Sequence, residues 1–199
     1  MKSLHGILVA AVVLLAGIQP AWAGEIIGKV TAHGVKNSGD AVVYIDKAPG
    51  KTVPVPKEHA KMDQKNLAFV PHVLPVLAGT TVDFINSDDV LHNVFSPDKC
   101  CDKFNLGSWP KGQSKSFTFM NAGCAATLLC NVHPEMEGYV YVVGTPYYAV
   151  STKDGSYEIK GVPAGKYTLK IWHEKLKGQD VTVDVPEKGS ATVNFDIHK

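Results

Sequence analysis

Apolar and polar residues alternate with period two along most of this chain, in runs too short for helices and broken by turn residues. Glu25 to Thr31 and Ala41 to Ile45 are the first two runs, and Asn37-Ser38-Gly39-Asp40 between them predicts a turn. Val73 to Leu77, Thr81 to Asn86, His92 to Phe95, Ser114 to Phe119, Ala125 to Cys130 and Gly138 to Val143 predict further strands. Phe117 and Phe119 alternate with Ser116 and Thr118, as a strand with one buried face requires. Beyond Gly144, Asp154-Gly155 predicts a hairpin between Tyr148–Ser151 and Tyr157–Ile159. Tyr167 to Trp172, Val181 to Val185 and one last alternating run from Ala191 to Ile197 complete an all-β, largely antiparallel pattern. Residues 47–66 break it: Pro54 and Pro56 preclude regular structure early, Glu58 to Lys65 has room for a short helix, and the rest reads as a solvated loop. Lys47, Lys51, Lys57, Lys61 and Lys65 make that stretch a candidate docking patch as well.

Composition changes this picture at the start of the chain. Lys2, an apolar core from Ile7 to Ile18 and Ala21-Trp22-Ala23 have the form of an export signal cleaved after Ala23. Its twelve apolar residues are too few to span a bilayer as a helix, and no later stretch is longer, so an exported, periplasmic chain without a membrane span is expected. All 20 basic residues are lysine, and the leader holds one of them. The remaining lysines balance 19 acidic residues, and the bidentate arginine fork is missing, so nucleic acid is excluded as a partner.

The candidate chemistry lies in Cys130-Asn131-Val132-His133-Pro134-Glu135-Met136 together with His92. A thiolate, two imidazoles and a thioether form a donor set suited to one copper ion: sulfur favours Cu(I), imidazole serves both oxidation states, and a weak axial methionine tunes the potential. Three donors share one tight loop, and His92 arrives from a separate extended run, so a sheet must hold it against that loop. The other mature histidines (His33, His59, His72, His173, His198) are scattered; only His72, between Pro71 and Val73, is a candidate to support the site. No HExxH or GxSxG motif occurs, and a closed ligand set offers no substrate position, so an enzyme is not expected.

Val82-x-Phe84-x-Asn86, His92-Asn93-Val94 and Cys130-x2-His133-x2-Met136 resemble a cupredoxin, and the short ligand loop is most similar to that of amicyanin. The resemblance covers about Leu67 to Val143. It implies a Greek-key β-sandwich, one type 1 copper with His92, Cys130 and His133 as equatorial ligands and Met136 as axial ligand, and Asn93 tying the two ligand loops together. It also implies that single electrons pass to a redox protein docking near His133. A binuclear purple site needs a second cysteine four residues before Cys130, and position 126 is Ala. Copper delivery, or a structural surface module without a carrier role, is the alternative.

A second likeness covers the ends. Gly28-x-Val30 with Ala41-Val42-Val43, and Thr152-Lys153-Asp154-Gly155-Ser156-Tyr157 through Leu169, are similar to the carboxypeptidase regulatory-like, prealbumin-type sandwich. The organisation expected is a split sandwich, residues 24–46 and 145–199, with a cupredoxin domain of residues 47–144 inserted; tandem domains are the rival. Cys124 precedes Cys130 by six residues, about 20 Å along a strand. Cys124, Cys100 and Cys101 are therefore expected to meet away from the metal, with one disulfide from Cys124 to Cys100 or Cys101. A second soft-metal site and an intermolecular bridge remain open alternatives, since spacing does not fix connectivity.

Overall fold

Residues 23–48 and 54–199 are described by the structure, a computed structural model. The export signal expected over residues 1–23 falls, except for Ala23, outside the described residues. The chain is all-β, as expected. Its strands are β1 (Ala23–Ala32), β2 (Val42–Ile45), β3 (Ala60–Gln64), β4 (Phe69–Val70), β5 (Val73–Leu77), β6 (Thr80–Asn86), β7 (His92–Ser96), β8 (Phe104–Trp109), β9 (Ser114–Phe119), β10 (Ala125–Leu129) and β11 (Glu137–Val143). The last six are β12 (Tyr148–Val150), β13 (Ser156–Pro163), β14 (Gly165–Trp172), β15 (Val181–Val185), β16 (Ser190–Thr192) and β17 (Phe195–Ile197). One 3-10 turn spans Lys99–Cys101. Among the described residues, no helix is long and apolar enough to cross a membrane.

Among the described residues, four sheets form two sandwiches. The first packs β4-β3-β6-β9 against β5-β11-β10-β7-β8 around Met62, Phe84, Trp109, Phe119 and Leu128. In the second, β13, β16 and β17 flank β1, and β12-β2-β14-β15 covers them, closing a core of Ile26, Ile45, Ile159, Leu169 and Ile197. Strands β3 to β11 thus lie in sequence between β2 and β12, which pair with each other: Tyr44 is opposite Tyr148 and Val42 opposite Val150. Gly28 pairs with Tyr157 and Val43 with Ile171. The two sandwiches meet through Val42, Val73, Tyr141 and Val143. There the Tyr141 ring stacks on Trp172 with centroids 5.0 Å apart, and its hydroxyl donates to the Tyr44 hydroxyl at 2.7 Å.

Several expectations are corrected. Ala60–Gln64 is a strand, neither helix nor solvated loop. It pairs in parallel with β6, and its alternation buries Met62 and Gln64 while Lys61 stays outside; burying those two side chains in the sheet outweighs the local helix signal. The sheets are mixed rather than antiparallel, since β5 runs parallel to β11 and β1 parallel to β16 and β17. Strands β4 and β8 were not foreseen. Asp154-Gly155 makes a tight turn, but it joins two sheets instead of closing a hairpin: β12 pairs with β2 and β13 with β1. At Gly155 (φ +87°) a Cβ would lie 2.0 Å from the Val30 carbonyl oxygen, and the Val30 N–H donates to the Gly155 carbonyl at 2.9 Å. Only glycine permits that approach. The last alternating run is two short strands, both parallel to β1 and broken at Val193-Asn194.

Candidate metal centre

Two loops at one end of the first sandwich carry the site. Asn86 closes β6 fully buried, and its side-chain amide donates to the carbonyls of Val90 (2.8 Å) and Trp109 (2.9 Å). Its side-chain oxygen accepts the Asp88 N–H at 2.9 Å. These bonds fold residues 87–91 into a compact loop and deliver His92, fully buried, to the first position of β7. Across the sheet Leu129 of β10 pairs with Phe95 of β7, so Cys130, next after Leu129, emerges beside His92. The chain then turns back on itself, the Met136 N–H donating to the His133 carbonyl at 3.0 Å, before β11 begins.

The side chains of His92, Cys130 and His133 converge: one ligand atom from each lies within 4.8 Å of the other two. The Nδ1 atoms of His92 and His133 are 3.2 Å apart, with the rings edge to face. Nε2 of His92 faces Asp88 Oδ2 at 2.9 Å. With the ring N–H donated to that carboxylate, the Nδ1 lone pair of His92 is directed at His133 and Cys130. Two facing imidazole nitrogens repel through their lone pairs unless a proton or cation lies between them. Cys130 is buried, and its sulfur accepts the Asn93 N–H at 3.4 Å. Buried nitrogen and sulfur donors so arranged fit a borderline-soft metal ion. Met136 is buried in the same core.

Asn93 ties the loops together. Its side-chain oxygen accepts the Asn131 N–H at 3.2 Å, and its amide donates to Asn105 Oδ1 and the Gly107 carbonyl, both at 2.9 Å. Asp88, overlooked in the sequence, anchors the other side. Besides His92 it accepts the N–H groups of Asn66 (2.7 Å) and Leu67 (2.9 Å). Desolvation raises the pKa of this carboxyl, but those donors and the His92 ring outweigh it and hold the pKa down at about 2. Asn66 and Leu67 have φ of +55° and +58°, as a two-residue type I′ hairpin turn between β3 and β4 requires. A carboxylate four residues before a candidate ligand histidine was the available signal; the turn it grips is visible only in three dimensions.

Residues 56–143 match the family model described as copper binding proteins, plastocyanin/azurin family. The match covers less than half of the chain, the part that holds His92, Cys130, His133 and Met136. Among solved structures, a reduced single-residue mutant of amicyanin is similar over 44% of this chain and 85% of its own, with 29% identity and a TM-score of 0.41. A purple cupredoxin from Nitrosopumilus maritimus is similar over 42% of this chain and 98% of its own, at 26% identity and a TM-score of 0.37. A copper-containing nitrite reductase from Thermus scotoductus SA-01 is similar at 23% identity and a TM-score of 0.41, over 49% of this chain and a quarter (25%) of its own. No curated protein matches the chain. The second sandwich lies outside the family match.

The remaining candidates lie elsewhere. His72 stands 3.5 Å from Glu174 and edge-on to Tyr139, where the two sandwiches meet, and does not support the site at His92 and Cys130. Cys100 is bonded to Cys124. Cys101 is the leftover thiol: it is buried, its S–H is 3.3 Å from both Ser96 Oγ and the Asp98 carbonyl, and burial pushes its pKa up. A buried, protonated thiol is a poor metal ligand.

Proposed function

We propose that this chain is a periplasmic type 1 copper protein that carries single electrons between redox partners. His92, Cys130, His133 and Met136 would hold the copper ion. The observation that carries this reading is the convergence of two imidazole Nδ1 atoms and one buried sulfur at the end of a rigid sandwich. Bound copper would supply a one-electron couple between Cu(I) and Cu(II). The protein's part is to hold the donors still: Asp88 fixes the His92 ring, the Asn93 N–H supports Cys130, and the Asn93 side chain locks the Cys130 loop to β7. Ligands held from outside change place little between oxidation states, which keeps the barrier to transfer low. The same closure leaves no open position for a substrate, and we assign no catalytic step.

His133 is half-buried between exposed Val132 and Pro134, and Leu91 and Val90 are exposed just ahead of His92. An apolar face around His133 lets a redox protein approach closely at little desolvation cost. We read residues 24–46 and 145–199 as a carboxypeptidase regulatory-like sandwich into which the cupredoxin domain, 47–144, is inserted. The deciding experiment is the visible spectrum of the copper-loaded protein. An intense sulfur-to-copper band, abolished in Cys130→Ser, is expected, and Met136→Leu should keep the band and raise the potential. Copper uptake without the band overturns the carrier reading, and a band with no reducible couple favours copper delivery.

A further inference from the structure

We propose a second metal site, for a divalent transition-metal ion, on the outer face of the second sandwich: His33, Asp196 and His198. Strand pairing builds it. Parallel pairing sets Thr31 of β1 opposite Asp196 and Ala32 opposite Ile197 of β17. His33 continues β1, its N–H donating to the Ile197 carbonyl at 2.9 Å. His198 is fixed on its other side by two backbone bonds with Lys177, of 2.7 and 3.1 Å. Along β17, Phe195 and Ile197 point into the core, so the period-two alternation sends Asp196 and His198 outward on one face, beside His33.

The donor geometry is already close to that of a bound ion. Asp196 Oδ1 lies 2.8 Å from His33 Nε2 and 3.3 Å from His198 Nδ1, and the three ligand atoms fall within 4.8 Å of one another. Donors about 2.0–2.2 Å from a common ion stand roughly 3.0–3.5 Å apart in octahedral or tetrahedral coordination. Two imidazoles and a carboxylate without sulfur select Zn(II), Cu(II) or Ni(II) over Cu(I). All three side chains are more than half exposed, so an ion there keeps open positions, unlike the enclosed donor set of His92, Cys130 and His133. An open groove of about 540 Å³ adjoins Asp196 and His198, with Lys177, Asn194 and Lys199 along its walls. Water or a small anion reaches the remaining coordination positions from that side. Exposed His–Asp pairs add little to stability, so replacing these residues leaves the fold intact.

The test is equilibrium dialysis of the full mature chain against Cu(II), with metal analysis and electron paramagnetic resonance. Wild type should hold one Cu(II) more than the His33→Ala/His198→Ala double variant, whatever the occupancy at Cys130. The additional ion should show nitrogen and oxygen ligation and no sulfur charge-transfer band. His198→Ala alone should weaken it at least about 10-fold, the loss that even an outer partner of a metal ligand costs. Equal stoichiometry in wild type and double variant overturns the site. An equal loss in His59→Ala, an exposed histidine paired with Asp83, overturns it too, because copper is then sampling surface histidines at large.

Discussion

Asp88 Oδ2 lies 2.9 Å from Nε2 of His92, and the same carboxylate holds the backbone of the Asn66–Leu67 turn. One side chain thus sets the tautomer of the buried His92 ring and ties it to a surface hairpin. Asp88→Ala is expected to lower copper affinity about 10- to 100-fold, as loss of a partner behind a metal ligand generally does. It should also cost about 2 kcal/mol in stability, because two turn N–H groups lose a charged acceptor. Asp88→Asn, which keeps an acceptor oxygen, should lose less of both. Competition with a chromophoric chelator and urea unfolding measure the two effects; unchanged affinity in Asp88→Ala would remove Asp88 from the site.

The proposed docking face can be separated from the lysines. Lys61 and Lys65 are spread along and beyond β3, about 13 Å apart at strand rise, and Lys57 lies further back, so the three do not form one compact patch. The electron-transfer rate should therefore fall sharply in Pro134→Glu and change little in the Lys57/Lys61/Lys65→Gln triple variant, with a weak dependence on ionic strength. A steep salt dependence abolished by the lysine changes would move docking to the basic segment.

Thiol counting on the denatured, oxidised apo-protein should find two free thiols, Cys101 and Cys130. Cys124→Ala should then expose a third and destabilise the protein by about 3 kcal/mol, the usual effect of opening a loop of this size, here with a sequence separation of 24 between the bonded cysteines. A free Cys124 in wild type would contradict the pairing.

Excising residues 48–146 and joining the ends by a short linker should leave a folded, copper-free β protein, because β1 and β2 find their partners in β12 to β17. Val42, Tyr44, Tyr148 and Trp172, now covered by Tyr141 and Val73, would face solvent. Trp172 would be the sole tryptophan of the mature product, so its emission should shift to the red. An unfolded product would show that the second sandwich depends on the first.

The sequence by itself determined what short spacing encodes. Period-two alternation with glycine-rich breaks is a local property of the backbone, and it made the all-β class legible. Cys130-x2-His133-x2-Met136 is a short loop, so spacing alone made Cys130, His133 and Met136 candidates together, and the fold brings His92 to Cys130 and His133. His92 was legible because an extended run leads into it. Contacts between distant segments decided the rest. Ala60–Gln64 became a strand because parallel pairing with β6 buries Met62 and Gln64, which no local propensity encodes. The Asp154-Gly155 turn joins two sheets because β12 pairs with β2 and β13 with β1. The bond runs from Cys124 to Cys100 while adjacent Cys101 turns into the core against Ser96, a choice made by the 3-10 turn that points neighbouring side chains in different directions. Asp88 acquired its place only when β3, β4 and β7 came together, because the Asn66–Leu67 turn it holds lies more than 20 residues before it and meets it through packing.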